Sequence, residues 1–303
     1  MKSNITIIIP HGKQELYKDL DCLKSIKRQR IDIPYHLMQS DDNPSKKRND
    51  GAKKSKTELI AFINGHTILA DNWYDETKKF FSQHPDVDIV GGPQLTSKDD
   101  SLFERASGYA LSSVLGSANV GGRYKPRGLN LNADETHLTS ANLICKRELF
   151  KKVKFDESIY PGEDPKFISD AKNAGLKIAY SPEIVVYNKR RKDLKGLFKQ
   201  IFNYGKVRTQ KESLKETLKK PFFIVPSLFV IYMAFLPFLS FVHFLFLAPL
   251  FLYIFLCIVF GLYESLKNRE LRSIFMVASI FVTIHISYGL GMLYGLVKNR
   301  IVK

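Results

Sequence analysis

Residues 59–66 read Leu-Ile-Ala-Phe-Ile-Asn-Gly-His. Five apolar residues without a break fit a strand buried on both faces, as in a sheet covered by helices. Asn64-Gly65-His66 follows with no spacer, so polar groups arrive where that strand surfaces. Working outward, the same design recurs. Ile5–Ile9 is a β-branched apolar run stopped by Pro10, and Ile33–Met38 runs into Ser40-Asp41-Asp42-Asn43-Pro44, a loop by composition. Val87–Val90 ends at Gly91-Gly92-Pro93, and Leu143–Cys145, Lys177–Tyr180 and Ile184–Tyr187 read as further strands. Apolar residues at Leu16, Leu20, Leu23 and Ile26 predict a helix over 14–29. Lys46–Ser55, Asp71–Ser82 and Lys166–Ala174 read as helices, the last closed by Gly175, while 102–126 is Gly- and Ser-rich and ambiguous. Alternating strands and helices specify a doubly wound α/β sheet, with ligands in the crevice beyond the strand C-termini.

The chain changes solvent at Lys219-Lys220. Phe222–Tyr263 carries no charge, and a second apolar stretch covers Ile274–Val297. A membrane core needs roughly 20 apolar residues per helical crossing. The reading is therefore an α/β domain over 1–194, an amphipathic segment over 195–218 and a transmembrane region over 219–303, with helices near 222–240, 243–263 and 274–297. In the middle segment Phe198, Ile201, Phe202 and Val207 lie beside Lys195, Lys199, Lys206 and Arg208. That pattern suits a helix in the lipid interface, and packing against the soluble domain is the alternative. Three crossings put the C-terminus opposite the soluble domain, yet Lys298, Arg300 and Lys303 favour the same side. Either the final segment is re-entrant or broken, or the charge rule is overridden. Gly289, Gly291 and Gly295 there permit close helix packing, within the chain or with a second copy in a homo-oligomer.

The 303 residues carry a formal net charge of +16, concentrated in clusters such as Lys46-Lys47-Arg48 and Lys189–Lys192. Such clusters suit anionic lipid headgroups or a polyphosphate substrate. No nucleic-acid module accompanies them, so no nucleic-acid partner is expected. Cys22, Cys145 and Cys257 are scattered and form neither a metal pattern nor a disulfide framework. The first apolar run is too short for an export signal, so the soluble domain is expected to face the cytoplasm.

Several residues offer chemistry. Asp41 and Asp42 close the second strand, where a carboxylate accepts hydrogen bonds from a base or ribose; an Asx turn is the structural alternative. Lys47, Arg48 and Asn49 follow within one helical turn, where cations meet a diphosphate. Asn64 and His66 are possible ligands of a divalent cation, or simply polar turn residues. Glu163-Asp164 opens a helix, where two acids either complement the helix dipole or supply a general base.

Taken in order, these residues resemble family 2 glycosyltransferases of the GT-A fold (nucleotide-diphospho-sugar transferase, Rossmann-like). The resemblance covers about residues 4–210. It rests on ITIIIP, on Asp41-Asp42, on KKRNDGAKKSKTELIAF and on GEDPKF. The segments HLTSANLICKRELF, FDESIYPGED, YSPEIVVYNKRR and QIFNYGKVR, followed by HISYGLGMLYG, are similar to the succinoglycan-type (ExoA-like) branch.

The resemblance implies an inverting, membrane-bound enzyme that moves a sugar from a nucleotide-diphosphate sugar to a lipid-linked (polyprenyl) saccharide or polyprenyl phosphate. It implies Asp164 as base, with Glu163, Arg190 and Arg191 in the catalytic set. Pro10, Asp41, Asp42, Arg48, Asn64 and Gly65 would bind the donor. Asn64 and His66 would hold a divalent cation, Mg or Mn. Ser140, Asn142, Gln200, Tyr204 and Arg208 would face the acceptor or the membrane lipid. The expected location is the cytoplasmic membrane, multi-pass, with the catalytic domain towards the cytoplasm. Two departures stand out. The family has Asp-x-Asp, or Asp-x-His in this branch, where this chain has Asn64-Gly65-His66, and Tyr187-Asn188 replaces its Tyr-His. Loss of a carboxylate leaves three readings: a weaker metal site, activity without a tightly held metal, or a catalytically impaired membrane scaffold. A transporter is disfavoured, because the apolar tail lacks ionisable groups at membrane depth.

Overall fold

The strands around residues 59–66 assemble side by side, with one reversal. In the computed structural model, which describes residues 3–12, 20–211 and 217–301, the first of two compact units comprises the residues up to Ser97 and Gly122–Lys189. Its strands and helices are β1 (Ile5–His11), α1 (Asp21–Lys27), β2 (Tyr35–Gln39), α2 (Pro44–Lys54), β3 (Leu59–Phe62), β4 (Thr67–Leu69), α3 (Trp73–Gln83), β5 (Ile89–Gly91) and β6 (Gln94–Leu95). After an excursion into the second unit come β7 (Leu143–Lys146), α6 (Glu163–Asn173), β8 (Ile178–Tyr180) and β9 (Val186–Asn188). The helix read over 14–29 is seen only as α1; residues 13–19, with Leu16, lie outside the described residues.

The main sheet has the order β2-β1-β3-β7-β5-β8. Ile5, Ile7 and Ile9 pack on one face with Leu23, Ile26 and Trp73, while Ile8 and Phe62 pack on the other with Phe155 and Phe167. Burial on both faces is why these strands are apolar without alternation. Pro10 does not stop β1: it pairs with Met38 on the β2 side, whereas β3 ends opposite Ile8. Pro10 thus lies beyond β3, where a missing N–H leaves no ladder bond unmade.

The reversal is β7, antiparallel to both β3 and β5, so the sheet is mixed. Leu143 pairs with Phe62 and with Gly91, at the C-terminal ends of those strands. The chain therefore enters β7 from the ligand end, which delivers the preceding turn, 139–142, to that end. A small second sheet, β4-β9-β6, stands beside it, and its strands β4 and β6 are too short to show a pattern in sequence. Gly92 sits at this crowded junction, where an added Cβ would lie 2.1 Å from the Ile184 carbonyl oxygen.

The second unit comprises Lys98–Gly121 and the chain from Arg190 onward. It contains α4 (Leu102–Ser112), α5 (Val114–Ser117), α7 (Leu194–Lys211), α8 (Val225–Val242), α9 (Ala248–Lys267) and α10 (Ile274–Ile301). The ambiguous 102–126 stretch thus begins as helix, started by a capping box between Ser101 and Glu104. Three helical stretches, Val225–Val242, Phe244–Lys267 and Leu271–Lys298, are long and apolar enough to cross a membrane. α10 is one continuous helix, not a broken pair. Its glycines serve packing within the chain: an added Cβ at Gly289 would strike the Pro226 backbone, at Gly291 the Phe202 backbone and at Gly295 the Lys206 backbone. The 195–208 stretch likewise packs as α7 along α10, burying Leu197, Ile201 and Val207.

Candidate active site

Asp164 occupies the first turn of α6, where the helix dipole favours an anion. Both its oxygens are held from the turn before β7: the Ser140 hydroxyl donates to Oδ1 at 2.6 Å and the Ser140 backbone N–H to Oδ2 at 3.1 Å. The Arg48 guanidinium stands 3.5 Å from Oδ1. One-fifth of the Asp164 side chain remains exposed, enough to reach a substrate proton. Glu163 is buried beside it, accepting from Arg48 Nη1 at 2.9 Å and from the Gly162 N–H at 2.9 Å. Burial, and then the neighbouring Asp164 charge, push the Glu163 carboxyl up to about 7 against the pull of Arg48. Gly162 has φ 114°, a left-handed conformation that glycine adopts without strain.

Helix α2 explains how this acid pair is placed. Asn43 caps it by accepting from the Lys46 N–H at 3.0 Å. One turn on, Arg48 grips Glu163 and stacks over Phe155, whose ring lies 4.1 Å from that of Phe167. Asn49 mimics a strand partner: its amide donates to the Phe155 carbonyl at 2.9 Å and accepts from the Phe155 N–H at 3.0 Å. Arg48 and Asn49 thus clamp the segment that leads into α6.

The loop after β3 lies elsewhere at the strand ends. Asn64 is half-buried and its carbonyl accepts from Thr67; Gly65 is buried, and a side chain there would meet Leu20. His66 is exposed, with Nδ1 3.9 Å from Asp21 Oδ2, and the Lys189 ammonium binds that same oxygen at 2.9 Å. Asn188, the second departure from the family pattern, pairs with Thr67 across β4 and β9. Its amide donates to Gln94 at 3.2 Å, and buried Gln94 in turn donates to the Thr139 hydroxyl, next to Ser140. Gln94 therefore links the loop of residues 64–67 to the turn that holds Asp164.

Comparison with known proteins now decides the family. The sequence profile described as "Glycosyltransferase like family 2" matches residues 28–203, more than half of the chain. The chain is a family 2 glycosyltransferase. It is similar to the pre-mycofactocin glycosyltransferase of Mycobacterium tuberculosis, 25% identical over 163 residues, covering 54% of this chain and 33% of that protein. It is also similar to the minor teichoic acid biosynthesis protein GgaB of Bacillus subtilis, 22% identical over 180 residues, covering 57% of this chain and 18% of that protein. The matches thus span only a third or less of those relatives. Among solved structures, the mannosyltransferase PcManGT from Pyrobaculum calidifontis, in complex with GDP-Man and Mn2+, aligns with a TM-score of 0.62. It covers 98% of this chain and 88% of that one at 12% identity, which establishes a shared GT-A fold and nothing finer.

Arg48, expected near the donor, lies buried with Glu163 and Asp164. Lys47, a possible phosphate cation, is buried and donates to the carbonyls of His11 (2.9 Å) and Ser40 (3.1 Å), tying the ends of β1 and β2. Ser140, expected at the acceptor, is turned to Asp164. Asn142 is a core residue, accepting from the Trp73 indole at 3.0 Å and donating to Ile184 at 2.7 Å. Asp41 and Asp42 are exposed just past the end of β2, whose Met38 pairs with Pro10; the Lys46 ammonium at 3.1 Å holds the Asp42 carboxyl below the ordinary range.

A divalent cation does not fit the described residues at the 64–66 loop. Small hard cations take one or two carboxylates besides substrate phosphates. Here the carboxylate that meets His66 among the described residues, Asp21, is already paired with Lys189, and Asn64 brings no charge. Among the described residues no three His, Cys, Asp or Glu side chains converge on a metal position. Sequence reasoning missed Asp21, because nothing in its spacing ties it to His66; the link is the Cys22 N–H bonded to the Gly65 carbonyl at 3.1 Å.

The remaining expected residues belong to the second unit. Three of them form a chain of hydrogen bonds: Arg191 Nε donates to Gln200 Oε1 at 3.3 Å, and Gln200 donates to the Tyr204 hydroxyl at 3.0 Å. Arg208 stacks on Phe223, 3.5 Å from its ring centre. Arg190 begins the second segment of that unit.

Proposed function

We propose that this glycosyltransferase inverts the anomeric centre, moving a sugar from a nucleotide-diphosphate donor to a hydroxyl of a polyprenyl-linked saccharide or polyprenyl phosphate. The observation that carries the reading is Asp164, an acid in the first turn of α6 with both oxygens fixed by Ser140 and part of its surface open. Asp164 takes the acceptor hydroxyl proton. The oxygen so released attacks the anomeric carbon, the bond from that carbon to the diphosphate breaks, and the nucleoside diphosphate leaves with the electron pair. Ser140 and Arg48 keep the carboxylate aimed, and buried Glu163 positions Arg48 without touching the substrate. Asp41 and Asp42 meet the base or ribose. Lys189, followed by Arg190 and Arg191, supplies cations for the departing diphosphate, as positive groups near developing negative charge do. No step requires a bound metal.

The apolar helices support a lipid-borne acceptor and a place in the cytoplasmic membrane, with Gln200, Tyr204 and Arg208 beside the lipid. Likeness to the succinoglycan-type branch agrees with such an acceptor. A non-catalytic scaffold is motivated by Asn64 alone, whereas the intact acid clamp around Asp164 favours an enzyme. Full-length protein in membranes, given a panel of nucleotide sugars and a polyprenyl phosphate, is expected to release nucleoside diphosphate and form a product of opposite anomeric configuration, read by NMR. A product that retains the donor's configuration, or no turnover with any donor, would overturn the reading.

A further inference from the structure

Three apolar helices suggest three crossings, but the neighbours of α10 argue otherwise. Its two halves are backed by different parts of the chain. Just ahead of its first half, Arg105 of α4 binds Glu270 through Nε at 2.7 Å and Nη2 at 3.1 Å. Within that half, Phe281 abuts Gly116 of α5, and the His285 ring contacts the Leu115 carbonyl at 2.8 Å. The second half packs on α7, where an added Cβ at Gly205 would lie 2.2 Å from the Tyr288 carbonyl and one at Gly291 2.0 Å from that of Phe202.

Segments α4–α5 and α7 lie on one side of any membrane. The chain leaves β6 for 98–121 and returns to β7, which pairs with β3 and β5 in the same sheet, and α7 follows β9 directly. Neither segment suits membrane depth, since α4 opens with Glu104 and Arg105 and α7 carries Lys195, Lys199, Lys206 and Arg208. A transverse α10 would rise about 42 Å and put its ends on opposite faces. Its two halves instead rest on elements that share one face.

Charge and exposure point the same way. Lys219-Lys220 precede α8, Glu264, Lys267, Arg269, Glu270 and Arg272 surround the α9–α10 turn, and Lys298 and Arg300 end α10. The α8–α9 connection is apolar apart from His243, and Phe241 is 92% exposed. Burial also separates the helices, at 11% for α8 and α9 against 44% for α10.

We propose that the apolar helices enter the bilayer from one face without a net crossing. The α8–α9 hairpin is immersed in lipid with residues 241–247 deepest, α10 lies half-embedded on α4, α5 and α7, and the C-terminus returns to the catalytic side. This arrangement satisfies the preference of Lys298 and Arg300 for the side that holds the other basic clusters. It also keeps the acceptor platform on one leaflet, as an enzyme extending a lipid-linked chain from one side requires.

The test uses the full chain with different epitope tags at its two ends, in sealed vesicles of both orientations treated with trypsin. Both tags are expected to disappear in the same vesicle orientation and survive in the other. Loss of the two tags in opposite orientations would overturn the proposal and establish an odd number of crossings.

Discussion

Glu163 offers a prediction whose sign and size follow from its surroundings. A carboxyl raised from 4.5 to about 7 makes the folded state bind more protons than the unfolded chain between those pH values. Its contribution to stability therefore falls as pH rises through that window, by on the order of 3 kcal/mol in all. Glu163→Gln keeps an oxygen for the Arg48 bond but cannot ionise, and Asp164 at 3.5 Å still balances the guanidinium. Relative to wild type, the variant should gain stability steadily from pH 5 to pH 8. Arg48→Met should do the reverse: removing one partner of a buried pair costs about 3–5 kcal/mol, most at high pH where both acids are charged. Unfolding of the full chain in detergent can be followed through Trp73, the single tryptophan, which is buried and bonded to Asn142. Stability curves that run parallel for wild type and Glu163→Gln across this pH range would refute the reasoning.

Two further outcomes test neighbouring parts of the site. Ser140→Ala removes a charge-assisted bond worth about 1.5–3 kcal/mol, so kcat should fall about tenfold to a hundredfold while the donor KM stays constant; a changed donor KM with unchanged kcat would place Ser140 at the donor instead. Turnover of wild type should be the same in EDTA as with added Mn2+ or Mg2+, and Asn64→Asp should introduce a Mn2+ response; turnover that EDTA abolishes in wild type would show that a cation binds despite the Asp21–Lys189 pair.

Much of the fold was legible because its strands are buried on both faces. Unbroken runs such as Ile5–Ile9 and Leu59–Ile63 carry that signal whatever surrounds them. The direction of β7 was not legible, since a strand with three apolar residues looks the same in either sense, and only the turn at 139–142 reveals it. Asp164 and Glu163 could be singled out because the helix they open has a recognisable start. The roles of Arg48, Ser140 and Asp21 depend on contacts over 115, 24 and 45 positions of sequence, respectively, and no local pattern encodes them. The glycines of α10 were noticed for their size, but the partner that each admits, α7 or α8, became visible only in the folded chain.

The central claim is that Asp164 removes the acceptor proton, and Asp164→Asn tests it most directly. The amide keeps the size and one acceptor oxygen for the Ser140 N–H, and the Ser140 hydroxyl can turn to accept from the amide nitrogen, but the amide cannot take a proton. The full-length variant should bind nucleoside diphosphate in calorimetry as wild type does, while sugar transfer to the polyprenyl acceptor is lost. Undiminished transfer by Asp164→Asn would contradict the account.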